Sequence, residues 1–313
     1  MAQKPLLILT GPTAVGKTDL SIELARDLGG EIISADSMQV YRYMDIGSAK
    51  ITKEQMQNIP HHLIDVLEPD QDFNVFLFQE MAKEAMEGIY ERGHIPIITG
   101  GTGFYIQSVL YDIDFSEEAD SSLRRRLEDM ARREGGQYLH GKLKLVDPES
   151  AEAIHPNNIK RLIRALEYYE LNGSPISLHN KQEREKKAAY RFCYFVLTDE
   201  RQRLYSRIEE RVDEMLREGL VEEVAKLKSM GCRRNMVSMQ GLGYKEILSY
   251  LDGECSLEDA VSLIKKNTRH FAKRQLTWFR RERDVIWIHK GEFAYQRERI
   301  LAYMKECYER NCC

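Results

Sequence analysis

Short apolar runs alternate with helical patterns over the first hundred residues of this chain. Leu6–Thr10, Glu31–Ala35, His62–Val66 and Ile95–Thr99 are brief and β-branched, and two similar runs come later, Phe192–Thr198 and Val285–His289. Most lack the polar alternation of a half-exposed strand, which fits strands covered on both faces by helices. Between the first two runs Leu20, Leu24 and Leu28 recur every four residues, the spacing of one helix face, and Gly29-Gly30 ends that helix. Strand, glycine turn, helix and strand in this order predict βαβ units and a parallel sheet.

The alternation breaks between about Asp112 and Arg191. This stretch begins with an acidic segment, Asp112–Asp120, ends with a charged one, Lys181–Lys187, and carries helix-like runs at Ser121–Arg133 and Asn158–Leu171. A helical subdomain inserted into an α/β core is therefore expected. Residues 1–115 would form the first part of the core, 116–190 the insert and 191–313 the completion of the core. After the fifth strand Leu204, Ile208, Val212 and Met215 share one helix face, up to Gly219.

Composition narrows the class. With 42% hydrophobic and 31% charged residues the chain can bury a core and stay soluble. No apolar run approaches the ~20 residues of a membrane span. Leu6–Leu9 is too short for a secretory signal and runs straight into a glycine loop. The six cysteines (193, 232, 255, 307, 312, 313) form no CxxC pair and no zinc pattern, so reduced thiols and a cytoplasmic location are expected. Cys312-Cys313 is read as a frayed tail.

A net charge of −4 argues mildly against a nucleic-acid partner, so local patches must carry any such reading. One is Ile264–Arg283, with eight basic residues against Glu282 alone. On a helix Lys266, Arg269, Lys273 and Arg280 form one stripe, and Ile264, Phe271 and Trp278 another. The insert is also net positive.

The sharpest chemical signal is Gly11-Pro12-Thr13-Ala14-Val15-Gly16-Lys17-Thr18, a full GxxxxGK[ST] between a strand and a helix. Its glycines let backbone N–H groups wrap a phosphate at a helix N-terminus, Lys17 adds a point charge, and the Thr18 hydroxyl can hold Mg²⁺. The fold expected is a P-loop NTPase-like parallel sheet flanked by helices, with the insert. The motif implies a di- or triphosphate ligand but not its hydrolysis. An ordinary ATPase has an acid at the end of a second core strand, whereas Ile95–Ile98 runs into a second glycine loop, Thr99-Gly100-Gly101-Thr102-Gly103. Ligands of open α/β sheets bind at the carboxyl ends of the strands, so this loop should face the same crevice. Asp36 ends the second strand there, as a base, a metal's outer partner or a helix N-cap. Ser37 and Gln39 carry groups of the kind that read a base edge. His61-His62 and Asp65 look structural, because adjacent strand residues point to opposite faces; Asp65 could also line the crevice.

Together these residues resemble the tRNA dimethylallyltransferase (tRNA isopentenyltransferase) family. The resemblance runs through GPTAVGKT at 11–18, SADSMQVYRYMDIGSAK at 34–50, PHHLID at 60–65, GGTGFY at 100–105, NNIKRLIRALE at 157–167, GLGYKE at 241–246 and TRHFAKRQLTWFR at 268–280. Tyr43 stands where the family usually has glycine, Ser48 where it has threonine, and Met38 at a variable position. No zinc-finger extension follows, as in bacterial members. The resemblance implies transfer of a dimethylallyl group from dimethylallyl diphosphate to N6 of adenosine 37, beside the anticodon of tRNA, with release of diphosphate. The missing acid then makes sense, because no water needs activation. It further implies diphosphate binding by Gly11, Pro12, Thr13, Ala14, Val15, Gly16, Lys17 and Thr18 with Mg²⁺. Lys245 is a candidate second cation, and Asp36 would accept the N6 proton. The tRNA anticodon stem-loop would meet Asp36, Ser37, Met38, Gln39, Thr102, Arg124, Arg125, Lys160, Arg161, Leu162, Ile163, Arg164, Arg269 and Lys273. A monomer without membrane attachment is expected. An adenylate isopentenyltransferase acting on free nucleotide, a P-loop small-molecule kinase and a non-enzymatic RNA-binding module are the other readings.

Overall fold

Six strands form one sheet in the order β3-β2-β4-β1-β5-β6, and every pairing is parallel. The structure, a computed structural model, describes residues 3–115 and 121–312. The strands are β1 (Pro5–Thr10), β2 (Gly30–Ala35), β3 (His61–His62), β4 (Ile95–Gly100), β5 (Arg191–Thr198) and β6 (Val285–His289). The helices around them are α1 (Lys17–Leu28), α2 (Val75–Glu91) and α3 (Gly103–Leu110). Four helices of a separate unit come next in the chain. Then follow α8 (Arg201–Glu218), α9 (Leu220–Ser229), α10 (Tyr244–Leu251), α11 (Leu257–Phe279) and α12 (Arg297–Cys312). Leu6–Leu9 and Tyr194–Leu197 are almost fully buried, as continuous apolar strands between helix layers should be.

Three details differ from expectation. Of the third strand expected at His62–Val66 only His62 is in the ladder, with His61 before it, because Leu63 (φ 62°) and Asp65 (φ 54°) turn left-handed and leave it. Gly30 does not belong to the helix stop: Gly29 alone caps α1, and Gly30 opens β2 opposite Ile95. The carboxyl-terminal segment is not frayed at Cys312. In α12, Ile300, Leu301, Met304, Cys307, Tyr308 and Cys312 are buried at helical spacing. The Cys312 thiol lies 3.8 Å from that of Cys193 on β5. Cys313 lies outside the described residues.

The strand register positions the site. Thr10 pairs with Gly100, and Ala35 pairs with the same Gly100. The next residues, Gly11, Asp36 and Gly101, therefore leave the sheet side by side at its carboxyl edge. Thr198 pairs with His289, so Asp199 and Lys290 emerge from the neighbouring strands. Five loops meet along one edge because the ladders end together.

Residues Tyr111–Ala188 form a second compact unit. It is helical: α4 (Ser121–Val146), α5 (Pro148–Ala153), α6 (Ile159–Asn172) and α7 (Ile176–Glu185). Gly135 (φ 81°, ψ 171°) breaks α4 into two helices. Leu123, Leu127, Leu139, Leu143, Leu162, Ile163 and Leu166 make its core. The buried Asp147 caps α5 through the Ser150 N–H and ties down α7 by accepting from the Ser177 N–H and hydroxyl. The acidic entry expected at Asp112–Asp120 and the boundary at 116 fall partly on 116–120, outside the described residues.

Candidate active site

The first glycine loop closes on itself. The Lys17 ammonium donates to the carbonyls of Pro12 (2.9 Å) and Gly11 (3.1 Å). Gly16 is the residue before α1 and takes φ +95°, a conformation that suits glycine. Space is tight there as well: a Cβ would sit 3.3 Å from Arg207 Nη2 and 3.7 Å from Lys290 Nζ. Lys290 also donates to the Val15 carbonyl at 3.3 Å. Burial pulls the Lys17 ammonium down to about 7, with Arg211 pushing the same way and Asp36 opposing.

Asp36 starts a turn, not a helix. Its Oδ1 accepts from the N–H groups of Met38 (2.8 Å) and Gln39 (3.4 Å), and no helix follows. The N-cap alternative is thereby excluded. The turn leads into a cavity of about 420 Å³ whose walls include Thr13, Ala14, Asp36, Ser37, Met38, Thr102 and Lys245. Both glycine loops, the end of β2 and the start of α10 thus meet around one space. The GLGYKE segment frames it. Tyr244 is fully buried and donates to Glu223, which also accepts from the N–H groups of Asp45, Ile46 and Gly47. Lys245 reaches the cavity, 3.8 Å from the Glu246 carboxylate.

Four residues of this site carry no individual signal in the sequence reading. Arg211 on α8 lines the cavity, its charge coupled to those of Lys17 and Asp36, and burial lowers its pKa. It is legible in one respect: it sits among Ile208, Val212 and Met215 on an otherwise apolar face, where a cation needs a reason. Thr268 and Arg274 on α11 also line the cavity. Gln275 does more. Its amide oxygen accepts from the Thr13 N–H (2.9 Å), and its amide nitrogen donates to the Gly101 carbonyl (3.0 Å), clamping the two glycine loops together. The side of α11 carrying Ile264, Thr268, Phe271 and Gln275 faces the cavity.

Other expected residues fall elsewhere. The Gln39 amide donates to the Ser48 and Ala49 carbonyls and its oxygen accepts from Ser34, so it shapes the turn and does not line the cavity. Asp65 is paired with Lys50 at 2.6 Å and is not part of the cavity wall. His62 and Glu31 form a hydrogen bond of 2.7 Å, part of a structural cluster with Arg92 and His94. Tyr43, in place of the usual glycine, takes φ +65° with its ring exposed beneath Lys226. Within the helical unit Leu162 and Ile163 are 0% and 4% exposed, so their side chains belong to the core of that unit and do not face solvent. Lys160, Arg161 and Arg164 on the same helix are exposed, and so are Arg124 and Arg125 on α4. Arg124 is partnered by Glu167 at 3.3 Å. On α11 Lys273 is exposed, whereas Arg269 is half-buried and paired with Glu209 at 2.5 Å.

A parallel six-stranded sheet with a glycine-loop cradle, a carboxylate and buried cations at one edge defines a P-loop-like α/β protein. The family model described as IPP transferase matches residues 39–282, and that described as Isopentenyl transferase matches residues 4–69. The tRNA dimethylallyltransferase of Lachnoclostridium phytofermentans is 61% identical over 291 residues, 93% of each chain. That of Acetivibrio thermocellus is 50% identical over 301 residues, 96% of each. The solved tRNA isopentenylpyrophosphate transferase of Bacillus halodurans is 44% identical, with a TM-score of 0.73 over 98% of this chain and 97% of that one. A eukaryotic dimethylallyltransferase solved acting on tRNA is 28% identical, with a TM-score of 0.77 over 91% of this chain and 74% of that one. The chain belongs to the tRNA dimethylallyltransferase family, and so to the prenyltransferases.

Proposed function

We propose that the protein transfers the dimethylallyl group of dimethylallyl diphosphate to N6 of the adenosine beside the anticodon of tRNA. The observation that carries this reading is that the P-loop residues Thr13 and Ala14 line one cavity with Asp36, the only acid among its described wall residues, while Thr18 lines an adjoining one. The P-loop amides, Lys17, Thr18 and Arg211 hold the diphosphate. The carbon–oxygen bond to diphosphate breaks as N6 bonds to the freed carbon, and negative charge grows on the leaving group. Fixed cations and amides aimed at that charge stabilise the transition state more than the ground state.

Asp36 accepts the N6 proton. An aryl amine is a weak nucleophile because its lone pair is delocalised into the ring, so loss of the proton as the new bond forms lowers the barrier. Oδ1 is tied to the turn, which leaves Oδ2 for the proton. The adenine must leave its stack to reach this depth. Ser37, Met38 and Thr102 line its path, and Gln39 sets the turn that presents Ser37 and Met38. Gln275 keeps the diphosphate and adenine sides in register.

Among the described residues no cluster of three acidic, histidine or cysteine side chains could hold a metal by itself. A donor set of one hydroxyl, Thr18, fits Mg²⁺ that arrives on the diphosphate and keeps most of its water. Such an ion neutralises part of the charge on the leaving group. Lys160, Arg161 and Arg164 on α6, Arg125 on α4 and Lys273 on α11 supply phosphate contacts for the anticodon stem-loop. We place the protein in the cytoplasm with its tRNA, as a monomer. The test is incubation with radiolabelled dimethylallyl diphosphate and bulk tRNA. Label in RNA supports the reading; label from the γ-phosphate of ATP in a small acceptor would instead show a kinase.

A further inference from the structure

Lys290 is the first residue beyond β6, and its side chain is spent on the first glycine loop, 275 residues away in the chain. The register of β5 and β6 brings it there, because Thr198 pairs with His289 and so Asp199 and Lys290 leave the sheet together. Asp199, its side chain 2% exposed, stands 3.8 Å from the Lys290 ammonium, whose own side chain is 15% exposed. Asp199 is itself held at the start of α8, where it accepts from the Glu200 N–H at 2.8 Å. A lysine drawn this far from water needs partners, and Lys290 has two: this carboxylate and the Val15 carbonyl at 3.3 Å.

The second partner bears on chemistry. Val15 C=O and Gly16 N–H belong to one peptide unit, and that unit is trans, so the two groups point in opposite directions. Holding the carbonyl outward therefore aims the N–H inward, where a glycine loop of this type wraps a phosphate. The unit needs holding. Ala14 (φ 62°) and Gly16 (φ 95°) on either side of Val15 are both left-handed, and glycine moves easily between backbone states. Lys17 steadies the other end of the loop through the Gly11 and Pro12 carbonyls, and Gln275 takes the Thr13 N–H. Lys290 is what holds Val15.

We propose that Lys290 is a positioning residue of the diphosphate site, which keeps the Gly16 N–H turned into the phosphate cradle by holding the Val15 carbonyl outward. This rests on the proposed reading of the loop as the diphosphate site. The sequence contains a single Val-Gly pair, so labelling valine carbonyls with ¹³C and glycine nitrogens with ¹⁵N isolates the NMR signal of this one peptide unit. Inorganic diphosphate is titrated into the unsubstituted protein, Lys290→Met, which keeps the length and loses the donor, and Lys290→Arg, which keeps a cationic donor. The unsubstituted protein should show a clear shift of the Gly16 amide on saturation. Lys290→Met should show a smaller shift and bind diphosphate ~10–100-fold more weakly, the worth of one hydrogen bond to a charged group, and Lys290→Arg should recover most of both. In transfer assays the Met variant should raise KM for dimethylallyl diphosphate and leave KM for tRNA unchanged. Equal shifts and affinities in all three proteins, an Arg variant no better than Met, or a lowered kcat with both KM values unchanged would overturn the role of Lys290. No response of the Val15–Gly16 signal to diphosphate in the unsubstituted protein would instead overturn the reading of the loop.

Discussion

Asp36→Asn separates proton acceptance from architecture. The amide oxygen of asparagine can still accept the Met38 N–H bond, 2.8 Å in the native turn, so the turn and the Ser37 and Met38 walls should persist. The basic carboxylate is lost. A positioned base is worth ~10²–10⁴ in rate, which is about 2.7–5.4 kcal/mol at about 1.36 kcal/mol per decade. A second effect acts on Lys17, because the Asp36 carboxylate opposes the burial that lowers that ammonium. Without it Lys17 gives up its proton more readily, so donor affinity should also fall, more at pH 8 than at pH 6. The assay is single-turnover transfer at saturating donor and tRNA, run at both pH values, with donor affinity measured in parallel. Slowed transfer at saturation would isolate the base. An unchanged saturated rate would refute the base role and leave Asp36 as a turn residue only.

Lys17, lowered to about 7, is largely neutral at pH 8 in the free protein. A bound diphosphate restores its charge, so binding should take up a proton at pH 8 and almost none at pH 6; calorimetry in buffers of different ionisation enthalpy reads this, and equal uptake at both would contradict it. Arg161→Glu with Lys273→Glu should weaken tRNA binding and lower the log–log salt slope by roughly 0.7–0.9 per lost phosphate contact, with donor affinity held; an unchanged slope would show both surfaces to be bland. Glu31 is the second residue of β2, at the opposite edge of the sheet, its carboxyl held down to about 2, first by its hydrogen bond from Arg92 and, against burial, by those of His62 and His94. Its stabilisation is present above the ordinary carboxylate range and is lost as pH falls from about 4.5 toward 2. Glu31→Gln should cost about 1.5–3 kcal/mol in urea unfolding at pH 7 with transfer kinetics unaltered.

The glycine loops, Asp36 and the parallel sheet are legible because each depends on local pattern: short apolar runs ended by glycine, and a motif whose residues are contiguous. Arg211 and Gln275 are different. They lie far along the chain from the P-loop, and only the packing of α8 and α11 brings them to it. Nothing local marks Gln275 as a clamp, since a glutamine within a basic helix reads as surface. Leu162 and Ile163 differ in another way. They lie between cations in a matching block, but helical spacing turns them into the core while Arg161 and Arg164 stay outside. The third strand reads too long because left-handed turns at Leu63 and Asp65 leave no mark in hydrophobic pattern.

The central claim is that one cavity joins a diphosphate grip to an acceptor base. It is tested most directly by a single turnover with an anticodon stem-loop and dimethylallyl diphosphate, followed by nucleoside digestion and quantification of both products. The account predicts one N6-dimethylallyl adenosine, beside the anticodon, for each diphosphate released. Diphosphate released without modified RNA, or modification at another atom or another residue, would contradict it.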